Sequence, residues 1–260
     1  MPRPWDEFSE RLRDLETRET APDIISPFLA LPGLRAFWPM SAISEAFPGN
    51  APAVDLSGNG RTLTYIGALT YNYDGLVPYA DFNGAGDRLD RADEAGLDIL
   101  GTEFYVAAGA RGLTFGGWFY ADAAGAGGVR FLMQKTNPVA NSAYSLELTA
   151  ANELEGYVAA VLGYFTPGIA ITHGEWFFAA LRYTPSTEVK IWHNETTAAN
   201  TTGIPAAINN SPDPFSIGGR AAAPSNYFDG RASCCFLCTM QLDDSIVASL
   251  FDRTRGAFGV

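Results

Sequence analysis

At 260 residues, 47% hydrophobic and 13% aromatic, with 27 glycines and 16 prolines, the chain can bury one sizeable core, and its composition favours many short strands joined by tight turns. Its 29 acidic against 17 basic residues give a formal net charge of −12, which repels phosphate backbones and anionic lipid and so argues against nucleic-acid partners and membrane insertion. No run approaches the roughly 18 uninterrupted apolar residues of a membrane helix. Met1–Thr20 is charged throughout without the apolar centre of a signal peptide, so cytosolic synthesis without an export signal is expected.

Residues 4–20, PWDEFSERLRDLETRET, read as an amphipathic helix: Trp5, Phe8, Leu12 and Leu15 form a narrow apolar stripe, and Glu7–Arg11 and Asp14–Arg18 are acid-first i,i+4 pairs. A helix this short is marginal alone, so the arm 1–20 must pack on its own domain or dock on a partner. Residues 21–33 carry Pro22, Pro27 and Pro32 and read as an extended connector. Strands are expected at Leu34–Pro39, Tyr79–Gly84, Leu113–Tyr120, Arg130–Lys135, Tyr144–Leu148, Glu155–Val161, Trp176–Tyr183, Glu188–His193, Phe215–Gly219 and Arg231–Met240. Between the first two, Asp55-Leu-Ser-Gly-Asn-Gly reads as a turn in which Gly58 and Gly60 take positive φ while Asp55 or Asn59 caps backbone N–H groups. Asn194–Pro214, rich in Thr, Asn and Pro, is expected to be an exposed loop. Asp243 is a helix N-cap followed by an apolar face of Ile246, Val247, Leu250 and Phe251.

Several of these stretches, in this order, resemble the concanavalin A-like (laminin G-like) jelly roll: the Leu34 strand with its aromatic, Asp55-x-Ser-Gly-Asn-Gly, the Tyr79–Arg91 stretch as a hairpin, Trp118, Gly174-x-Trp176, Phe228-Asp229-Gly230, and Leu242 through Ile246 to Leu250-Phe251. The resemblance covers about Leu34–Phe251. It implies an all-β, antiparallel two-sheet jelly-roll sandwich over 34–260, preceded by the helical arm and the connector and closed by a short C-terminal helix. Many members hold a structural calcium with the Asp of the Asp-x-Ser-Gly turn and an Asp of the last long strand. Here Asp55 is kept, but the second position falls on Ser233. No cofactor is therefore expected, with calcium at Asp55 the one exception left open.

Glycosidases on this fold carry Glu-x-Asp-x-x-Glu on one strand, where alternation puts the first two carboxylates on the same face. Neither Glu147 nor Glu153-Leu-Glu155 completes that pattern, so no catalytic residue is assigned and the chain is expected not to be an enzyme. Cys235-Phe-Leu-Cys238 lacks two further zinc ligands, and on a strand its thiols point to opposite faces. Cys234 and Cys238 share a face but stand about 13 Å apart, too far for a disulfide. Flat rings can stack on sugars, which makes Tyr144, Tyr157, Trp192 and Tyr227 candidate carbohydrate-binding residues, although aromatics in such strands also build cores.

The resemblance, together with the missing export signal, implies a non-enzymatic structural, decoration or adhesion protein of a multi-protein assembly, with a phage virion surface component as the leading example. Trp5, Phe8, Leu12 and Leu15 would dock it on other subunits, and it would reach the virion or the extracellular space without a signal peptide. A lectin-like module for cell-surface glycan is the first alternative and a glycosidase-like enzyme the second.

Overall fold

The computed structural model describes residues 23–41, 52–75, 77–98, 111–122, 128–136, 142–160, 162–221 and 224–260. The arm with Trp5, Phe8, Leu12 and Leu15 lies outside the described residues. Within them, sixteen strands form two antiparallel sheets of eight, so the all-β sandwich expected from the sequence is the fold of the chain. The first sheet runs β14 (Thr196–Asn200), β13 (Glu188–His193), β12 (Trp176–Thr184), β6 (Arg111–Ala121), β16 (Asp229–Met240), β4 (Val77–Asn83) and β3 (Thr70–Asp74), with β1 (Leu34–Trp38) also on β16. The second runs β10 (Gly163–Phe165), β9 (Glu153–Ala159), β8 (Tyr144–Leu148), β7 (Arg130–Lys135), β15 (Phe215–Ile217), β5 (Arg88–Arg91) and β2 (Thr64–Ile66), with β11 (Ile169–Ala170) on the far edge of β9.

The two inner faces meet in one large core that includes Trp38, Phe82, Phe115, Phe119, Tyr144, Leu146, Leu181, Phe215 and Leu237. The sheets come close: a Cβ on Gly156 of β9 would stand 2.6 Å from Ile191 Cγ2. The outer face of the first sheet is buried as well. Two helices cover it, α1 (Ser26–Leu29) and α2 (Asp244–Phe258), in a second cluster of Phe28, Phe37, Trp118, Phe178, Trp192, Phe236, Leu250, Phe251 and Phe258. Trp118 stacks on Phe258 with centroids 4.1 Å apart and donates its indole N–H to Thr254 Oγ1 (3.0 Å). Burial on both faces explains why β12 reads WFFAALRY and β16 reads CCFLC, continuous apolar runs rather than alternation. The outer face of the second sheet carries no such helical layer among the described residues.

In β16 one extra residue interrupts the ladder. Ser233 faces Trp118 and Phe236 faces Gly116, so three steps on β16 match two on β6, and Cys234 takes φ 47°. Before this bulge the free edge of β16 pairs with β4; after it, with β1. All three cysteines are buried free thiols, Cys234 and Cys238 under the helices and Cys235 in the main core.

Three expectations change. The described part of the connector, 23–33, is not extended: Asp23 Oδ1 accepts the N–H groups of Ile25 and Ser26, α1 follows, and Phe28 is fully buried against Phe37 with stacked rings 4.9 Å apart. The proline expected to extend the chain instead occupies the first turn of α1, where no N–H is needed. The Asn194–Pro214 segment is not a uniform exposed loop. Asn194, in the left-handed region at φ 54°, turns β13 back into β14, and Ile204, Ile208 and Ser211 further on are buried. Finally, β4 and β5 are not a hairpin but belong to different sheets, joined by a crossing that Asp87 ties down by accepting Ala68 N–H (2.7 Å) and Asn83 N–H (3.2 Å).

The Phe28 contact gives a direct test of the connector. Phe28→Ala should destabilise the protein by about 3–5 kcal/mol, the usual range for a buried phenylalanine truncated in a packed site. Urea denaturation measures this, and a loss below about 1 kcal/mol would mean that 23–33 is not part of the folded unit.

Candidate functional site

Because no helix packs on the outer face of the second sheet among the described residues, its outward side chains are the natural place for a site. Register places them in rows. Phe165 pairs with Tyr157, Tyr157 with Ser145, Ser145 with Gln134, Gln134 with Ser216 and Ser216 with Asp90, a band that starts aromatic and turns polar across six strands. The next row places Glu155 opposite Glu147 and Glu147 opposite Phe131.

Over β7–β10 this face sinks into a pocket of about 430 Å³, walled by the rings of Phe131, Tyr157 and Phe165 and by Ser142, Ser145, Glu147, Arg220 and Asn226. Such a volume suits a small organic ligand. Arg220 comes from the loop after β15, whose base is closed by Arg220 N–H donating to Ser225 O (3.0 Å). Asn226, at φ 58°, pins the other end of that loop to β7: its Nδ2 donates to Val129 O (2.9 Å) and its carbonyl accepts from Phe131 N–H (3.1 Å). The Arg220 guanidinium lies 4.9 Å from the centre of the Phe131 ring. At the rim, Phe165 is 48% exposed beside Leu162 at 67%, and the Phe165 and Tyr157 rings are 4.7 Å apart.

Glu147 is the acid of the pocket and is only 6% exposed. Burial pushes its carboxyl up to about 7; the Ser145 hydroxyl, donating at 2.6 Å, and the Arg220 charge pull it down, while Glu155 pushes it further up. Tyr157 is also raised, by burial first, and its hydroxyl bonds to Ser142.

Of the four aromatics proposed from sequence, only Tyr157 lines this pocket. Tyr227 packs against Gly219, next to the loop that carries Arg220 and Asn226. Tyr144 requires correction: alternation along β8 turns it inward, it is 0% exposed, and its hydroxyl donates to Leu97 O (2.9 Å). Trp192 also requires correction, since it lies on the helix-covered face of the other sheet, 4% exposed beneath Arg182 and Lys190 at 5.1 and 5.0 Å. Asp55 serves its own turn: Oδ1 accepts Phe37 and Ser57 N–H and Oδ2 accepts Arg61 N–H, with Gly58 at φ 84° and Gly60 at φ 72°. Among the described residues no three metal-ligating side chains converge. Sequence reading missed Glu147, Arg220, Phe131, Phe165 and Asn226 as site residues. The polar alternates of Tyr144-Ser-Leu-Glu-Leu signal an outward Ser145 and Glu147, but nothing local signals Arg220.

No protein-family model matches the chain, and no curated protein matches it. Solved structures do. The binding domain of Paraclostridial Mosquitocidal Protein 1 superposes with a TM-score of 0.63 at 13% identity, over 84% of this chain and 52% of that one. A structure of botulinum neurotoxin type C, whose cell entry depends on interaction with two ganglioside molecules, gives 0.64 at 11% identity over 88% and 52%. The binding domain of botulinum neurotoxin DC in complex with rat synaptotagmin II gives 0.62 at 11% over 85% and 51%. These likenesses establish the fold. The chain spans about half the length of the structures it matches, and the two-sheet antiparallel sandwich is what they share with it.

Two outcomes follow from the geometry. Glu147 is held above its unfolded value of 4.5, so folding favours its neutral form; that contribution is complete below about pH 4.5 and lost as the pH rises to about 7. Glu147→Gln should therefore melt higher than the native protein at pH 8, by up to about 3 kcal/mol of stability, and at the same temperature at pH 4. Calorimetry at both pH values checks this; the same difference at each would show that the carboxyl titrates normally. Separately, excess chelator should leave the melting temperature unchanged, because both Asp55 oxygens are occupied by backbone donors. A fall of several degrees that calcium restores would place a metal there.

Proposed function

We propose that this chain is a concanavalin A-like sandwich that works as a glycan-binding adhesion module, without catalysis, through the pocket on the outer face of its second sheet. The pocket itself carries the reading. Three aromatic rings offer apolar surfaces for the face of a sugar ring, and Ser142, Ser145, Asn226 and Glu147 offer hydrogen-bonding groups for its hydroxyls. Similarity to toxin binding domains supports a binding rather than a catalytic role; their receptors belong to whole domains twice the matched length. The motifs of the Asp55 turn and of Phe228-Asp229-Gly230 support the superfamily. The assembly and virion roles remain a separate proposal, and the arm that would dock the chain in such an assembly lies outside the described residues.

One observation favours a hydrolytic alternative: Glu147 and Glu155 stand opposite each other on β8 and β9. Against it, Glu155 does not line the pocket, and the three-acid strand pattern of the fold's glycosidases is missing. A captured glycan should accordingly be retained intact, with no release of reducing ends.

A glycan array with the full chain tests the main reading. Specific binding is expected, weakened about tenfold by Phe165→Ala or Tyr157→Ala, the loss of one stacked ring plus its buried area. An array with no specific signal, or a signal that both variants leave untouched, would remove the pocket as the site.

A further inference from the structure

The charge arrangement inside the pocket narrows the ligand class, on the assumption that the pocket binds sugar at all. Arg220 lines it, and the buried Arg220 Nε has no hydrogen-bond partner. Among the described residues no carboxylate lies within ion-pair distance of Arg220. That is unlike Arg61, Arg88, Arg91 and Arg182, each of which holds a carboxylate, Arg88 on this same sheet face with Asp90 at 2.9 Å. In a chain with 29 acids and 17 bases, a half-buried arginine that shares its pocket with Glu147 but makes no ion pair with it is open to an anion from outside. A guanidinium fork matches a planar carboxylate with two parallel hydrogen bonds.

We propose that the pocket selects carboxylated pyranoses, with Arg220 as the anchor for the carboxylate and Glu147 as a wall that admits the anion when protonated and repels it when charged. The groups facing Glu147 are Ser145 on its own strand, Glu155 and Tyr157 on β9, Phe131 on β7 and Arg220 on the loop after β15. Glu155 is the other acid in this set; burial and Glu153 raise it as well, and when charged it adds to the repulsion. Neutral Glu147 can donate to the ligand carboxylate beside Arg220, a short charge-assisted hydrogen bond. Charged Glu147 offers the anion only repulsion, which Arg220 must overcome.

Affinity for a sugar acid should therefore rise as the pH falls through 7, while affinity for the neutral sugar stays flat. Where protonation is required for binding, the gain is about tenfold between pH 8 and pH 6, the change in the competent fraction. Isothermal titration of the full chain with glucuronic acid, N-acetylneuraminic acid, glucose and glucose 6-sulfate at pH 6 and pH 8 measures it. The expected result is preference for the two carboxylated sugars, strongest at pH 6. Glu147→Gln should hold the acid-pH affinity at both pH values, and Arg220→Gln should lose the preference for the sugar acids over glucose. Equal binding of glucose and the sugar acids, equal binding of glucose 6-sulfate, a flat pH profile, or an Arg220→Gln variant that keeps its preference would each overturn the proposal and leave glycan binding standing. Failure of all four sugars to bind at either pH, with an empty array, would overturn both.

Discussion

Everything in this molecule follows from one sheet being buried twice. The first sheet packs its inner face on the second sheet and its outer face under α1 and α2, where Trp118 lies flat against Phe258 and hydrogen-bonds Thr254. A residue pair such as Phe177 and Phe178 on β12 serves both layers at once, Phe177 toward the second sheet and Phe178 toward the helices. The apolar area removed from water along these strands is thus close to double that of a sheet with one wet face, each buried aromatic contributing on the order of 2–3 kcal/mol. With one side of the sandwich sealed in this way, binding chemistry has room on the other.

The second sheet is built for that role by polar pairing rather than by more apolar packing. Lys135, fully buried, reaches Asp93 at 2.6 Å and Asp98 at 2.8 Å and donates to Ser211 O, tying the 3-10 turn Ala95–Leu97 and the irregular 201–214 segment to β7. Next to it Gln134 donates to Ser216 and accepts from Thr136 N–H and Oγ1, each at 2.5 Å. Removing one member would strand a buried charge or donor, so these links fix geometry more than they add stability. Thr136 is itself a wall of the pocket, so the network sets the pocket's shape from beneath.

How much of this was legible in the sequence depends on what each element buries. Arg130–Lys135, Tyr144–Leu148 and Glu188–His193 coincide with β7, β8 and β13, because each carries a strong β pattern between turn residues. The strands β2, β3, β10, β11 and β14 were not legible: they are short, largely exposed edge or near-edge elements, and Thr-Thr-Ala-Ala-Asn of β14 has no apolar period at all. Pro22, Pro27 and Pro32 suggested an extended linker, and tertiary burial of Phe28 prevailed over that local preference. The site was legible only strand by strand. Alternation marks Ser145, Glu147 and Tyr157 as candidates to face outward together, but Arg220 enters from a loop 73 positions beyond Glu147, and only the sheet order brings the two to one pocket.

The bulge at Cys234 bears on which insertions and deletions the fold tolerates. Ala232, Cys235 and Leu237 all point into the main core, although the first two are three positions apart, an odd step that a regular strand cannot make. The extra residue absorbs the odd step, so the two halves of β16 run out of phase in the sequence and in phase in space. Dropping Cys234 would leave a regular strand in which every remaining inward residue is still inward. Dropping one residue well to either side would turn half the strand over, sending core side chains toward the helices and helix-facing ones into the core. The chain can therefore lose one residue at the bulge and stay folded, while the same loss a few positions along β16 unmakes both layers.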